Sequence, residues 1–186
     1  MTSKTDRETL LAVARNAISA ELQGRRSNAT ELRPAGADSV EGSGGAFVTL
    51  KIRGRLRGCI GHLVSDDPIE DTVAAMARSA AFADPRFPPL SPGELDEVAI
   101  EISRLSTFFP IRPEDVEVGT HGLLLRLGRR SGLLLPQVPG EQGWDREAFL
   151  SGLCRKSGLP DGSWDHPDAV LEAFTAEVFG ESDEDD

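Results

Sequence analysis

From Ala46 to His62 the chain alternates apolar and polar side chains around a single turn glycine, Gly54, and few folds are open to such a stretch. Val48, Leu50 and Ile52 alternate with Phe47, Thr49, Lys51 and Arg53, the period-2 signature of a strand with one buried face. Gly54 suits a left-handed turn position. A three-residue loop, Ile52-Arg53-Gly54, pairs Lys51 with Arg55 and Thr49 with Arg57. Val48, Leu50, Leu56, Gly58 and Ile60 then share one face, and Thr49, Lys51, Arg55, Arg57 and Cys59 share the other. A two-residue loop would mix these faces, so the spacing predicts the three-residue loop.

The rest of the chain supplies cover for that hairpin. Asp6 to Gln23 places Leu10, Leu11, Ala14, Ala17, Ile18 and Leu22 at helical spacing, with Gly24 as a stop. Residues 24–45 are rich in Gly, Ser and charge and have no period, which predicts a long, mobile surface loop. Asp66-Asp67-Pro68 reads as a helix start with a capping acid, and Ile69, Val73, Met76, Ala77 and Ala80 form the stripe that follows. Three prolines between Phe82 and Leu90 end that helix. Ser91-Pro92-Gly93-Glu94 is a capping signature for one helical turn. Val98 to Leu105 reads as a strand, and Val116 to Val118 as a segment that extends or pairs with it.

Gly122 to Leu127 and Gly132 to Leu135 read as strands around the turn 128–131, and their continuous Leu predicts burial on both faces. Pro136 to Gly143 reads as loop. Asp145 caps a helix to Ser157, with Phe149, Leu150, Leu153 and Cys154 inward. Phe174, Ala176 and Val178 mark a last strand, and residues 181–186 an acidic, solvated tail. Irregular alternation of helices with hairpin-linked strands predicts an α+β fold with a mostly antiparallel sheet.

Composition excludes several classes of function. A formal net charge of −11 opposes binding to nucleic acid or anionic membrane. The Arg and Lys row of the hairpin lacks interleaved aromatics, and the chain has no Tyr. No apolar run approaches the ~18 residues a membrane helix needs. Met1 to Glu8 is polar, unlike a signal peptide, and two cysteines are too few for a disulfide framework; both predict a cytoplasmic protein. Lys is confined to Lys4, Lys51 and Lys156, and the Arg preference among the 20 basic residues suggests a bacterial genome. Cys59-x-x-His62 is half of a zinc pattern with no second half, so no metal is expected. Neither a P-loop nor a dinucleotide-binding glycine loop is present, so no cofactor is expected.

Leu56-Arg57-Gly58-Cys59-Ile60-Gly61 carries the chemistry. Glycine inside a strand marks a bulge or the close approach of a ligand or another backbone. Cationic neighbours favour the thiolate of an accessible cysteine, so Cys59 reads as an activated thiol with Arg57 beside it. The competing reading is a small buried residue in a tight sheet.

The same run, LRGCIG at 56–61, is where the sequence resembles the AMMECR domain family, also called AmmeMemoRadiSam system protein A. The resemblance extends through Phe47 to Leu50, Ala80-Ala81-Phe82, Asp84 to Leu90, Glu101-Ile102-Ser103, Gly119 to Leu123, Ser131 to Val138, Gly143-Trp144-Asp145 and Cys154 to Pro160, ending near Phe179. It implies a single domain over 1–180 made of a larger body and a smaller lobe, with the LRGCIG strand near a cleft. It also implies a pathway shared with a Memo-like protein and a radical SAM enzyme, and it assigns no reaction. Arg53-Gly54 stands where the family more usually has Asn-Gly.

A nucleophilic Cys59 needs a base within hydrogen-bond reach. His121, in a Gly-Thr-His-Gly turn, is the candidate; His62 falls on the opposite strand face and His166 in a loop. Arg86 either binds a small anion with its fork or pins the Pro-rich segment to Asp84. Arg57, Gly58, Gly61 and Arg86 are therefore the expected ligand contacts, with Cys59 and His121 as the reacting groups. The alternative is a non-catalytic module that uses the same surface to bind a protein or ligand.

Overall fold

The computed structural model describes residues 2–181. In chain order its elements are α1 (Lys4–Leu22), α2 (Ala29–Leu32), β1 (Ala46–Ile52), β2 (Arg55–His62), α3 (Ile69–Phe82), β3 (Val98–Leu105) and β4 (Phe109–Pro110). They continue with β5 (His121–Leu127), β6 (Arg130–Leu134), α4 (Val138–Gln142), α5 (Arg146–Lys156) and β7 (Val170–Gly180). The chain divides into two compact units, a smaller one over Ser106–Ala176 and a larger one from the chain on either side of it. Every strand pairing specified below is antiparallel, and helices pack on the sheet in each unit, so the fold is α+β.

In the larger unit β1 lies between β2 and β3. Val48, Leu50, Ile100 and Ile102 point to one face and are buried against Leu10, Val13 and Ile18 of α1 and Ile69 and Val73 of α3. Each such side chain contributes about 1.5–3 kcal/mol on burial. Ala14 and Ala17 of α1 and Ala74 and Ala77 of α3 are also buried, and their small side chains let the two helices pack closely.

The hairpin turn differs from the expected one. Ile52 pairs with Arg55, so the loop is only Arg53-Gly54, and both residues take left-handed φ, 51° and 75°. That is the backbone of a two-residue hairpin turn, reached with Arg where Asn is usual. The missing residue is recovered within β2: Lys51 pairs with Leu56 and Leu50 with Gly58, leaving Arg57 as a bulge. Beyond the bulge Thr49 faces Cys59, not Arg57. Leu56, expected in the core, is therefore turned out and 44% exposed.

Residues 24–45, expected to be irregular, contain α2, whose N-terminal end is tied by a capping box between Asn28 and Glu31. Leu32 and Val40 are buried, and the buried Glu70 carboxylate accepts from Arg33 and from the Val40 N–H at 2.8 Å. The N-cap of α3 is Pro68, with no capping side chain, rather than one of the preceding acids. Glu181, expected in the solvated tail, takes a bidentate hydrogen bond from Arg15 and one from the Ile100 N–H. Residues 182–186 of that tail lie outside the described residues.

In the smaller unit β5 pairs with β6 on one side and β7 on the other, and β4 also pairs with β7. Leu123, Leu125 and Ala173 meet Phe149, Leu153 and Cys154 of α5 in its core. The expected double-sided burial fails for β6, an edge strand that is half-buried or exposed throughout. Its turn is Gly128-Arg129, since Leu127 pairs with Arg130. Val116–Val118 is not a strand but follows a 3-10 turn at Pro113–Asp115. Val138–Gln142, expected as loop, is one helical turn ended by Gly143 at φ 65°.

Candidate functional site around Cys59

Within the larger unit β2 is an edge strand, and an edge presents unpaired backbone groups. At Cys59 the segment after α3 takes them. Asp84 Oδ2 accepts from the Cys59 N–H at 2.9 Å, and Arg86 Nη2 donates to the Cys59 carbonyl at 3.2 Å. The two side chains hold each other: Arg86 Nε donates to Asp84 Oδ1 at 3.0 Å and Nη2 to Oδ2 at 2.7 Å. Asp84 is buried while Arg86 reaches solvent. Arg86, and after it the Cys59 N–H, hold the Asp84 carboxyl well below the usual carboxylate range. The segment is closed at both ends, by Phe87 N–H to Asp84 O and by Leu90 N–H to Ala81 O.

The sulfur lies on the sheet face opposite α1 and α3. Thr49 sits directly across from Cys59, and its Oγ1 donates to Cys59 Sγ at 3.2 Å. Thr49 is flanked on its other side by Glu101, which pairs with Lys51 at 2.7 Å. Thr49, Lys51, Cys59 and Glu101 are all half-buried. Cys154, by contrast, is wholly enclosed, as expected of a core residue, and burial pushes its thiol pKa up. Of the two readings of Cys59, the structure excludes full burial in the core.

Arg57 is engaged away from the sulfur. As the bulge residue it binds Glu94 through Nε at 2.8 Å and Nη2 at 3.2 Å, and its guanidinium carbon stands 6.0 Å from the Phe87 ring centre. Arg57, with the Ser91 N–H and hydroxyl, lowers the Glu94 pKa to about 2. Arg86 packs on the same ring at 5.6 Å. Both arginines are thus committed to carboxylates. Of the two roles left open for Arg86, pinning the Pro-rich segment is the one observed.

The glycines have internal reasons. A Cβ on Gly58 would stand 2.1 Å from the Ala80 carbonyl oxygen, so the end of α3 packs directly on the β2 backbone. A Cβ on Gly61 would meet the Phe47 ring at 2.1 Å. The close approach inferred from the sequence is real, and within this chain its partners are a helix backbone and an aromatic ring.

His121 begins β5 in the smaller unit; its Nδ1 accepts from the Glu117 N–H at 3.1 Å, and its ring packs edge-on against Phe109. His62 is exposed at the end of β2, and His166 Nδ1 accepts from the Asp168 N–H. Thr49, Phe87 and Glu94 escaped the sequence reading as site residues. In the sequence Glu94 stands only as a capping acid, and the partner of Thr49 is hidden because the bulge is not written in the alternation. Among the described residues no three His, Cys, Asp or Glu side chains converge as a metal ion requires, and no helix is long and apolar enough to cross a membrane.

A family model described as AMMECR1 matches residues 11–179. A protein of Methanothermobacter thermautotrophicus is 39% identical over 186 residues, covering 96% of each chain. One from Thermococcus gammatolerans is 47% identical over 149 residues, covering 74% of this chain and 72% of its own. The crystal structure of an uncharacterized protein from Pyrococcus horikoshii matches with a TM-score of 0.75 and 37% identity, covering 92% of this chain and 89% of that one. These relatives are archaeal, which overturns the bacterial assignment; an Arg preference reports nucleotide composition and not lineage. The chain belongs to the AMMECR1 family.

Proposed function

We propose that this protein is a binding component of a pathway shared with a Memo-like protein and a radical SAM enzyme, and that its working surface is the sheet face around Cys59. The observation that carries the reading is the sulfur itself. It is half-buried on the face opposite α1 and α3, accepts a hydrogen bond from Thr49, and sits on a backbone held at both its N–H and its carbonyl. Such a thiol is presented in one orientation, as a group that meets a ligand must be. Gly58 faces α3 on the other side of the strand, and Gly61 leaves room for the Phe47 ring. Arg86, exposed beyond its carboxylate, is the proposed contact for a small anionic ligand. Two unpaired cysteines support a cytoplasmic setting.

A second reading makes Cys59 a nucleophile and His121 its proton carrier. The Thr49 hydrogen bond favours it, since it fixes the orientation of the sulfur. It still requires a base, and among the described residues Thr49 alone hydrogen-bonds the sulfur side chain to side chain. The binding reading is therefore preferred.

Pull-down with purified Memo-like protein and radical SAM enzyme tests it, using the chain with Cys59 free and with Cys59 carbamidomethylated. Retention of either partner by the free chain and loss on alkylation is the expected result. Equal retention would remove this face from the interaction, and no retention would remove the partners.

A further inference from the structure

We infer that a trough in the smaller unit is a docking site for an arginine side chain of a partner protein. This goes beyond the Cys59 reading and stands or falls without it. The trough, with a volume of about 650 Å³, lies among the turn at Pro113–Val118, the start of α5 and the 3-10 turn at Ser163–Asp165. Its floor is apolar: Val116 and Leu150 are buried and Trp164 is half-buried. Arg146 ties two of its walls together, donating from Nε to the Val116 carbonyl at 2.8 Å.

Five carboxylates and that single guanidinium line the trough. Three of the acids have ordinary duties. Glu114 pairs with Arg112 at 3.3 Å, Asp145 caps α5 by accepting from the Ala148 N–H at 2.9 Å, and Glu147 lies in the first helical turn, where the dipole favours an acid. Glu117 and Asp165 have no such duty: both are exposed, and neither forms a side-chain ion pair among the described residues. Trp164 lines the same trough.

The unit's other indole shows what such a ring takes. Arg155 lies over Trp144 with its guanidinium carbon 5.6 Å from the ring centre, whereas no described cation lies over Trp164. An arginine from outside would lay its planar head on the Trp164 ring, reach Glu117 or Asp165 through its fork, and place its methylene stem on Val116 and Leu150. A lysine offers no flat face for the ring. The exposed rim leaves a path for a side chain entering from a protein surface, and the chain's net charge of −11 favours a basic partner.

The test is an NMR titration of the full chain, following the Trp164 indole N–H. The probe is a blocked glycine-serine hexapeptide with one central arginine; the same peptide with citrulline, and spermidine, form the other arms. The expected result is a saturable Trp164 shift with the arginine peptide and none with citrulline. In the Glu117→Gln, Asp165→Asn double variant the affinity should fall by about fivefold, the scale of exposed ion pairs. Both substitutions are at exposed positions, and the indole spectrum itself reports whether the fold is kept. No Trp164 shift, an equal shift with citrulline, or an unchanged affinity in the double variant would overturn the proposal. A shift with spermidine but not with the peptide would overturn it in favour of a small polyamine.

Discussion

Cys59 and Cys154 are the chain's two thiols, and the two units treat them in opposite ways. Cys154 sits in α5 within the core that Phe149, Leu123 and Leu125 share, where burial raises its thiol pKa and backbone N–H groups of Ser163 and Trp164 partly offset that burial. Cys59 stands on an edge strand between two glycines, with its backbone tied to Asp84 and Arg86 and its sulfur on the face that carries Thr49, Lys51 and Glu101. Residue type does not distinguish them. The surroundings do: a helix stripe buries a thiol, whereas a strand pinned by a buried carboxylate presents one. Polar groups divide the same way. Around Cys59 each arginine holds an acid, while the trough of the smaller unit leaves Glu117 and Asp165 without one.

The largest expected effect comes from the glycine that seats α3 on β2. Gly58→Ala drives a methyl into the Ala80 carbonyl, and neither backbone can move aside, so a loss of about 3 kcal/mol is expected from the urea midpoint. Gly61→Ala meets the Phe47 side chain rather than backbone, at the root of its ring, so the whole side chain must shift and the cost should be smaller, about 2 kcal/mol. Equal losses would mean that the strand yields as readily as the ring.

Next is Asp84→Asn, which removes the charge that holds Arg86 and weakens the acceptor of the Cys59 N–H. It should lower the urea midpoint and speed amide exchange at Cys59. Glu117→Gln in the smaller unit should move the midpoint by less than about 0.5 kcal/mol. A silent Asp84→Asn would show that the edge of β2 needs no pin.

Acid gives a smaller, graded effect. Asp84 and Glu94 both have folded pKa values below their unfolded ones, so they stabilise the larger unit at neutral pH. That stability is lost as the pH falls from the ordinary 4.5 of a glutamate toward the Glu94 value of about 2. Urea midpoints across this range should fall for the wild type and fall less for Glu94→Gln.

The alternation around Gly54 was enough to establish the hairpin and which side of β1 is core, because a period of two leaves no other solution. It could not reveal the bulge at Arg57, which costs a residue without disturbing the pattern beyond it. Leu56 and the partner of Thr49 were misplaced for that reason. The Leu runs of β5 and β6 look alike in sequence, yet only β5 has a strand on both sides, and neighbours across a sheet are not written in a local stretch. Cys59, Arg57 and Arg86 were legible as residues that matter. That both arginines are already engaged was not, because Asp84 and Glu94 reach them through a turn and a capping box.

The most direct measurement is site-resolved alkylation of the native chain by iodoacetamide, read by peptide mass. Cys59 should be modified in the folded protein and Cys154 only after unfolding. Modification of Cys154 first, or protection of both until the chain unfolds, would contradict a presented thiol at Cys59.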